Sequence, residues 1–167
     1  MSAREFLRRK IGDPIVQQLR QGLSPEKLAL TVAIGICIAV NPVIGTTTIG
    51  CFFAAWALRL NQPIIQAINW SSYALQLLLI FPFIRLGEKI FRAPPESRSL
   101  EELVGMARVD LLGTIATLGT TIGHAVVAWM LAAPLIIGGI YFGTLPSFRA
   151  LAKRVAASRR KTIHDVA

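Results

Sequence analysis

The residues best suited to chemistry form one group inside an apolar stretch: Asn41, Pro42, Gly45, Thr46, Thr47 and Thr48. From Leu28 to Leu58, between Lys27 and Arg59, 31 residues pass without a charged side chain. Pro42 lacks a backbone donor and disfavours helix through Asn41, and Gly45 accepts conformations that other residues resist. The pattern predicts a helix from Leu28 to Val40, a break, and a second helix from Thr47 to Leu58. At such a break the first helix offers unpaired carbonyls, and the second offers unpaired N–H groups beside three threonine hydroxyls. Broken helices of this kind place anionic groups at the amide end and cations at the carbonyl end. This is chemistry of binding, not of bond-making. A kinked core helix with threonines bonded to their own backbone fits the same residues.

A second group follows. Gln62, Gln66, Asn69, Ser72, Tyr73 and Gln76 recur three or four apart, so one helical face carries them. In a membrane such a stripe turns to the bundle interior, either to line a cavity or to join helices by hydrogen bonds. Arg59 stands at the end of the second predicted helix, where it can meet a phosphate or carboxylate or simply reach lipid headgroups. Thr120, Thr121 and His124 repeat the threonine pattern in a later apolar run, and His124 is its only side chain able to take up a proton near neutral pH. Asp110, just before that run, can pair with a cation or mark a helix start. The candidate substrate-binding set is therefore Asn41, Gly45, Thr46, Thr47, Thr48, Arg59, Gln66, Asn69, Gln76, Thr120, Thr121 and His124. No nucleophile elbow, phosphate-binding loop, paired in-membrane carboxylates or zinc spacing accompanies them, so no enzyme activity, metal or cofactor is expected.

The elements that must position these residues are set by composition. Of 167 residues 53% are hydrophobic and 16% charged, below the roughly 25% usual for a soluble domain. The formal charge of +9 is concentrated at the ends. Residues 1–27 hold six Lys or Arg against three acids, residues 149–167 six against one, and residues 85–110 five of each. Two basic ends flanking apolar runs point to cytoplasmic termini, with the balanced segment 85–110 across the membrane. A nucleic-acid binder would gather its cations into a patch on a soluble fold, so no nucleic-acid partner is expected. No cleavable signal peptide is expected either, since the first apolar run is too long and too broken for a signal core. Cys37 and Cys51 lie within apolar segments and read as reduced packing residues.

Residues 1–27 form the first segment, with Leu7, Ile11, Ile15 and Leu19 every fourth position among basic residues, the pattern of an interfacial helix or of one packed on its own protein. Ser24-Pro25-Glu26 supplies an N-cap, a first-turn proline and an early acid. Followed from Gly22-Leu23-Ser24-Pro25-Glu26-Lys27-Leu28-Ala29-Leu30 through Ala33-Ile34-Gly35, Pro42, Gly45, Thr47 and Leu58-Arg59-Leu60-Asn61, the chain resembles the bacterial inner-membrane family catalogued as domain of unknown function 2062. The likeness spans about residues 15–150. The family often has Gln-Thr after the break glycine, where this chain has Thr46-Thr47-Thr48, and Asn-Pro after the Trp70 position, where it has Ser72-Tyr73. The resemblance implies location and architecture and carries no catalytic residues.

After Arg59, the uncharged residues Leu60 to Ile84 are long enough for one full crossing. Residues 28–84 are thus a first membrane unit and 85–110 a polar connector, with a capping box at Ser99-Leu100-Glu101-Glu102. Residues 111–148 form a second membrane unit, and 149–167 a basic tail. A shift of 73 aligns Thr47-Thr48-Ile49-Gly50 with Thr120-Thr121-Ile122-Gly123, and seven of twelve positions match from Thr47 to Leu58. The expected fold is an all-α integral membrane protein with two pseudo-repeats, each a broken re-entrant pair plus one crossing, in inverted topology. The expected function is transport or flipping of an anionic amphiphile or lipid phosphate in the bacterial inner membrane; the alternative is a scaffold that anchors a partner. Membrane lipids with anionic headgroups, and further copies of the chain as a homo-oligomer, are the expected partners.

Overall fold

The computed structural model describes residues 24–94 and the backbone of 111–164, with side chains of 118–157 in that second part. Every regular element among them is helical: α1 Pro25–Ala39, α2 Thr47–Ala57, α3 Gln62–Ser71, α4 Tyr73–Phe91 and α5 Leu111–His164. The stretches around Leu7 to Leu19 and Ser99 to Glu102 lie outside the described residues.

α1 begins where its local chemistry directs. The Ser24 side chain accepts the Lys27 N–H, Pro25 occupies the first turn and Glu26 follows. Leu28, Ala29, Thr31 and Ala33 on it are completely buried, because α2, α3 and α5 surround it. Thr31 brings a polar group into that core, and its hydroxyl donates to the Lys27 carbonyl at 2.7 Å. α2 returns antiparallel along α1. Ile34 packs with Cys51 and Ala55, and a Cβ on Gly50 would lie 3.0 Å from Ile38. The expected helix, break and helix are therefore present as a hairpin.

The stretch expected to cross from Leu60 to Ile84 consists of two helices bent by 65°, which together are long and apolar enough for one broken span. Asn61 caps α3 by accepting the Ile64 N–H at 3.0 Å, with Pro63 in its first turn. Ser71 donates back to the Ala67 carbonyl at 2.7 Å, and the Ser72 N–H is shared between Ile68 and Asn69. Back-bonding serines loosen the regular ladder and bend helices, which accounts for a turn without proline at the bend. α4 then continues through Ile84 to Phe91, so Arg85, Glu88 and Lys89, the first charged residues of the polar connector, are helical.

The second apolar run shows the largest difference. α5 is one uninterrupted helix of 54 residues that passes through Thr120, Thr121, Pro134 and Pro146. Both aligned stretches, Thr47–Leu58 and 120–131, are helical, but no break precedes the second, and the described residues contain one hairpin-plus-helix unit, not two. Its stretch Leu118–Ala157 is apolar and long enough to cross a membrane. α5 runs antiparallel to α4: Ala125 packs with Phe83 at one end of the assembly, and Leu151 packs on Leu28 and Ile64 at the other. A Cβ at Gly87 would meet the His124 carbonyl carbon and oxygen at 2.5 Å, so glycine permits the backbone of α5 to approach α4.

Around this core the surface is apolar. Trp56, Trp70 and Leu135 are 73%, 72% and 80% exposed, and Phe52, Phe53, Leu78, Phe81, Met130, Leu131 and Phe142 are exposed as well. Water-soluble monomers rarely expose apolar patches beyond a few hundred Å².

Candidate functional site

The hairpin tip, residues 40–46, is built from short-range polar bonds. The Asn41 side-chain oxygen accepts the Val43 N–H at 2.7 Å, closing an Asx turn that leads the chain out of α1. Gly45 takes a φ of 90°, in the left-handed region, and the Thr46 hydroxyl donates to the Val43 carbonyl at 2.9 Å. Thr47 opens α2 as a buried residue.

The two helix ends that meet here are treated differently. At the carbonyl end, Ile36 and Ile38 accept the N–H groups of Val40 and Asn41. The Cys37 carbonyl accepts the Trp129 indole N–H at 2.8 Å, and the Asn41 carbonyl accepts the Gln76 amide at 2.8 Å. The expected open carbonyls are thus engaged by α4 and α5. At the amide end, Thr46 makes no side-chain cap to the first turn of α2, because its hydroxyl is turned back to Val43. What the tip leaves open has the polarity of a helix N-terminus.

The polar stripe serves this hairpin. Gln62 donates to the Phe52 carbonyl at 2.8 Å, Gln66 to the Thr48 carbonyl at 3.1 Å, and Asn69 to the Thr48 hydroxyl at 3.2 Å. Together with Gln76 they bind α2 and the tip to α3 and α4. One acceptor is left over: Gln66 Oε1 is buried without a partner. Of the two readings of the stripe, hydrogen-bonded joinery describes these amides; they face helix backbone.

Asn41, Gly45, Thr46, Thr47, Thr48, Gln66, Asn69 and Gln76 therefore come together. The remaining candidates do not join them. Arg59 ends α2, at the opposite end of that helix from Thr47, with a φ of 51° and an exposed side chain. The Leu60 N–H returns to Ala55 and the Arg59 N–H to Trp56, the bond pattern in which glycine usually fills the left-handed position. Arg92 ends α4 in the same way, also at 51°. Neither arginine has an ion partner among the described residues.

His124 is stacked on Phe91 with ring centroids 4.3 Å apart, roughly three helical turns along α4 from Gln76; the next residue, Ala125, shares a buried cluster with Phe83 and with Val40 of the tip, but the imidazole itself is on Phe91. Thr120 and Thr121 precede it on α5, further from the tip. Beside His124, Glu88 is buried and its carboxylate pairs with Arg85 at 3.0 Å. Among the described residues no three His, Cys, Asp or Glu side chains gather into a metal site.

Trp129 and Gly87 were not legible as parts of these contacts. Trp129 stands in the aligned repeat at the position of Trp56, but Trp56 is exposed while Trp129 reaches into the bundle. The only signal was the partnerless carbonyl that any helix end creates. At the opposite end of the molecule from His124, Glu26 on α1 pairs with Arg149 on α5 at 3.1 Å. The Glu26 carboxyl is held below its ordinary pKa, first by its backbone N–H and then by Arg149.

No curated protein and no solved structure matches the chain. A family model covers residues 8–156, most of the sequence, including the hairpin, α3, α4 and nearly all of α5's described side chains. The chain belongs to the family described as uncharacterized protein conserved in bacteria, DUF2062.

Proposed function

We propose that this is a multi-pass protein of the bacterial inner membrane. In it α1 and α2 form a re-entrant hairpin, α3 with α4 makes one bent crossing, and α5 makes another. Two charged levels support this. Residues 125–148 of α5 carry no charge over about 36 Å of helix, close to a bilayer core when tilted. At one end of that interval lie Arg85, Glu88 and His124, and at the other Glu26 and Arg149. With Glu26 and Arg149 at the cytoplasmic face, both basic ends lie inside and residues 95–110 outside. α1 is about 22 Å long, so the hairpin tip lies within the hydrocarbon slab.

The function we propose is movement of an anionic amphiphile, a lipid phosphate among the candidates, past that tip. The observation that carries it is the asymmetry of the two helix ends: α1 carbonyls are engaged by Trp129 and Gln76, while the α2 amide end has no side-chain cap. Such an end favours an anion over a cation. A chain of this size would line a pathway as a homo-oligomer, which would also cover part of its exposed apolar surface. The test is reconstitution into vesicles with headgroup-labelled anionic and zwitterionic lipids, comparing the wild type with a Thr47→Val, Thr48→Val variant. Anionic lipid that crosses faster with the wild type supports the reading; no binding or movement of any anionic lipid or solute in a broad screen sinks it.

One observation favours the scaffold reading. Gln62, Gln66, Asn69 and Gln76 all donate to the hairpin, so the polar stripe is occupied with structure. A scaffold would retain partners through its basic ends and tolerate the threonine substitutions.

A further inference from the structure

A cleft of about 300 Å³ lies between α1 and α5, at the Glu26–Arg149 end of the molecule and away from the hairpin tip. Leu30, Ile137, Gly138 and the Tyr141 ring make its walls, and Glu26 and Lys27 stand on its rim. The walls are apolar and the rim is charged, which is the polarity of a lipid seen at the membrane boundary.

The rim has a definite sign. Glu26 is neutralised by Arg149, whereas Lys27 is exposed and has no ion partner among the described residues. The Tyr141 hydroxyl likewise has no hydrogen-bond partner among them. An ammonium and a phenol with free donors, above an apolar channel, match a phosphate joined to an acyl chain. The wall is also left thin: a Cβ at Gly138 would meet nothing within 4 Å, so this glycine is not required by protein packing. In a helix interior glycine is less favourable than alanine. Here its absent side chain is the width of the cleft.

We propose that this cleft holds an acyl chain of an anionic phospholipid, with the phosphate at Lys27 and Tyr141, as a resident lipid of the cytoplasmic leaflet. The proposal rests on the membrane reading given above but not on transport. Lipid here is held at the boundary; the hairpin tip lies about 22 Å along α1.

The full chain, purified in mild detergent, would be titrated with phosphatidylglycerol, phosphatidylcholine and inorganic phosphate, with bound lipid counted by native mass spectrometry. Phosphatidylglycerol should bind the wild type more tightly than phosphatidylcholine, and inorganic phosphate should not displace it. Lys27→Gln should weaken phosphatidylglycerol about five-fold and leave phosphatidylcholine unchanged, the effect of one basic side chain at an anionic surface. Gly138→Leu should fill the cleft and remove tight binding of both lipids while keeping the thermal midpoint at or above that of the wild type. Equal binding of the two lipids by the wild type, unaltered affinity in Lys27→Gln, or full binding by a folded Gly138→Leu would each overturn the proposal. Loss of transport with the Lys27- and Gly138-dependent binding intact would sink the transport reading and leave this site standing, so a failed transport assay and a failed lipid site give different results.

Discussion

Two parts of the chain carry Thr-Thr-Ile-Gly in an uncharged apolar run, and both are helical, but only one of them follows a break. Thr47 and Thr48 start a helix after a break, while Thr120 and Thr121 lie inside the 54 residues of α5. The threonines do not decide this. Ahead of Thr47 stand Asn41, Pro42 and Gly45, of which Asn41 bonds Val43 and Gly45 supplies the positive φ. Ahead of Thr120, from Leu111 to Gly119, there is no proline and no Asn or Asp to close such a turn. Nor does proline suffice, since α5 continues through Pro134 and Pro146. A break inside an apolar medium needs replacement partners for the backbone groups it frees. The hairpin has Trp129 and Gln76 for that purpose.

The same contrast appears in how the two regions are held. α5 is seated on α4 by close backbone approach, and the hairpin is seated by side-chain amides bonded to backbone. The seam on α5 should be the more sensitive to added volume. Gly87→Ala places a methyl group 2.5 Å from the His124 carbonyl and should cost about 1–3 kcal/mol, with α4 and α5 forced apart. Gly123→Ala, on α5 itself, meets open space and should stabilise by about 0.5–1 kcal/mol. Unfolding in mild detergent followed by circular dichroism would measure both; equal effects would show that the seam is not tight.

On the hairpin side the sensitive change is loss of a donor. Gln76→Leu keeps most of the volume and leaves the Asn41 carbonyl without its amide, a loss of about 1–2 kcal/mol. The same substitution at Gln62, whose bond reaches the exposed Phe52 carbonyl, should cost less. If the order were reversed, the break would not depend on its partner in α4. Backbone hydrogen exchange at residues 40–46 would register the opening directly.

Arg59 gives a smaller effect of the opposite sign. A non-glycine residue at φ 51° is strained by about 1 kcal/mol, so Arg59→Gly should stabilise the end of α2 by up to that amount. The substitution also removes a cation from the charged end of the hairpin. Arg59→Lys, which keeps charge and strain, separates the two consequences: a membrane-insertion defect in the glycine variant alone would show that the strain is retained for the charge.

Most of the hairpin was legible because its determinants are local. The cap at Ser24, the break at Pro42 and Gly45, and the end at Arg59 each depend on residues within a turn or two. The bend at Ser72 was less so, because serine bends a helix only when its hydroxyl turns back to the ladder, as Ser71 does. Spacing alone places Gln62 to Gln76 on one face, where a cavity and a helix contact look alike. The clustering of Asn41 with Gln76 follows from the hairpin, but the separation of His124 from them does not follow from any local pattern. It depends on α5 continuing straight, and the repeated tetrad argued against that. Residue likeness between two apolar segments is a weak guide when the residues that break helices lie just outside the aligned window.

The smallest expected effect concerns the end where the two regions are joined, Glu26 on α1 and Arg149 on α5. Glu26 is exposed to solvent, so the pair is screened and its contribution is small. Its sign is nevertheless fixed. The folded state holds the Glu26 carboxyl below its ordinary pKa, so the unfolded chain binds the proton more readily. The contribution is therefore complete above the ordinary carboxylate range, near pH 4.3 for a free glutamate, and is lost as pH falls through the lower folded value. Glu26→Gln should remove that part of the acid sensitivity while altering the midpoint at neutral pH only slightly. Raised salt should shrink the difference between the two proteins at neutral pH, as expected for an exposed pair. An undiminished difference would mean that Glu26 acts within α1 through its own backbone N–H, the first cause that lowers its pKa, and that its pairing with Arg149 is dispensable. Arg149→Gln, measured alongside, decides between them, because it removes the ion pair and leaves the Glu26 backbone bond in place.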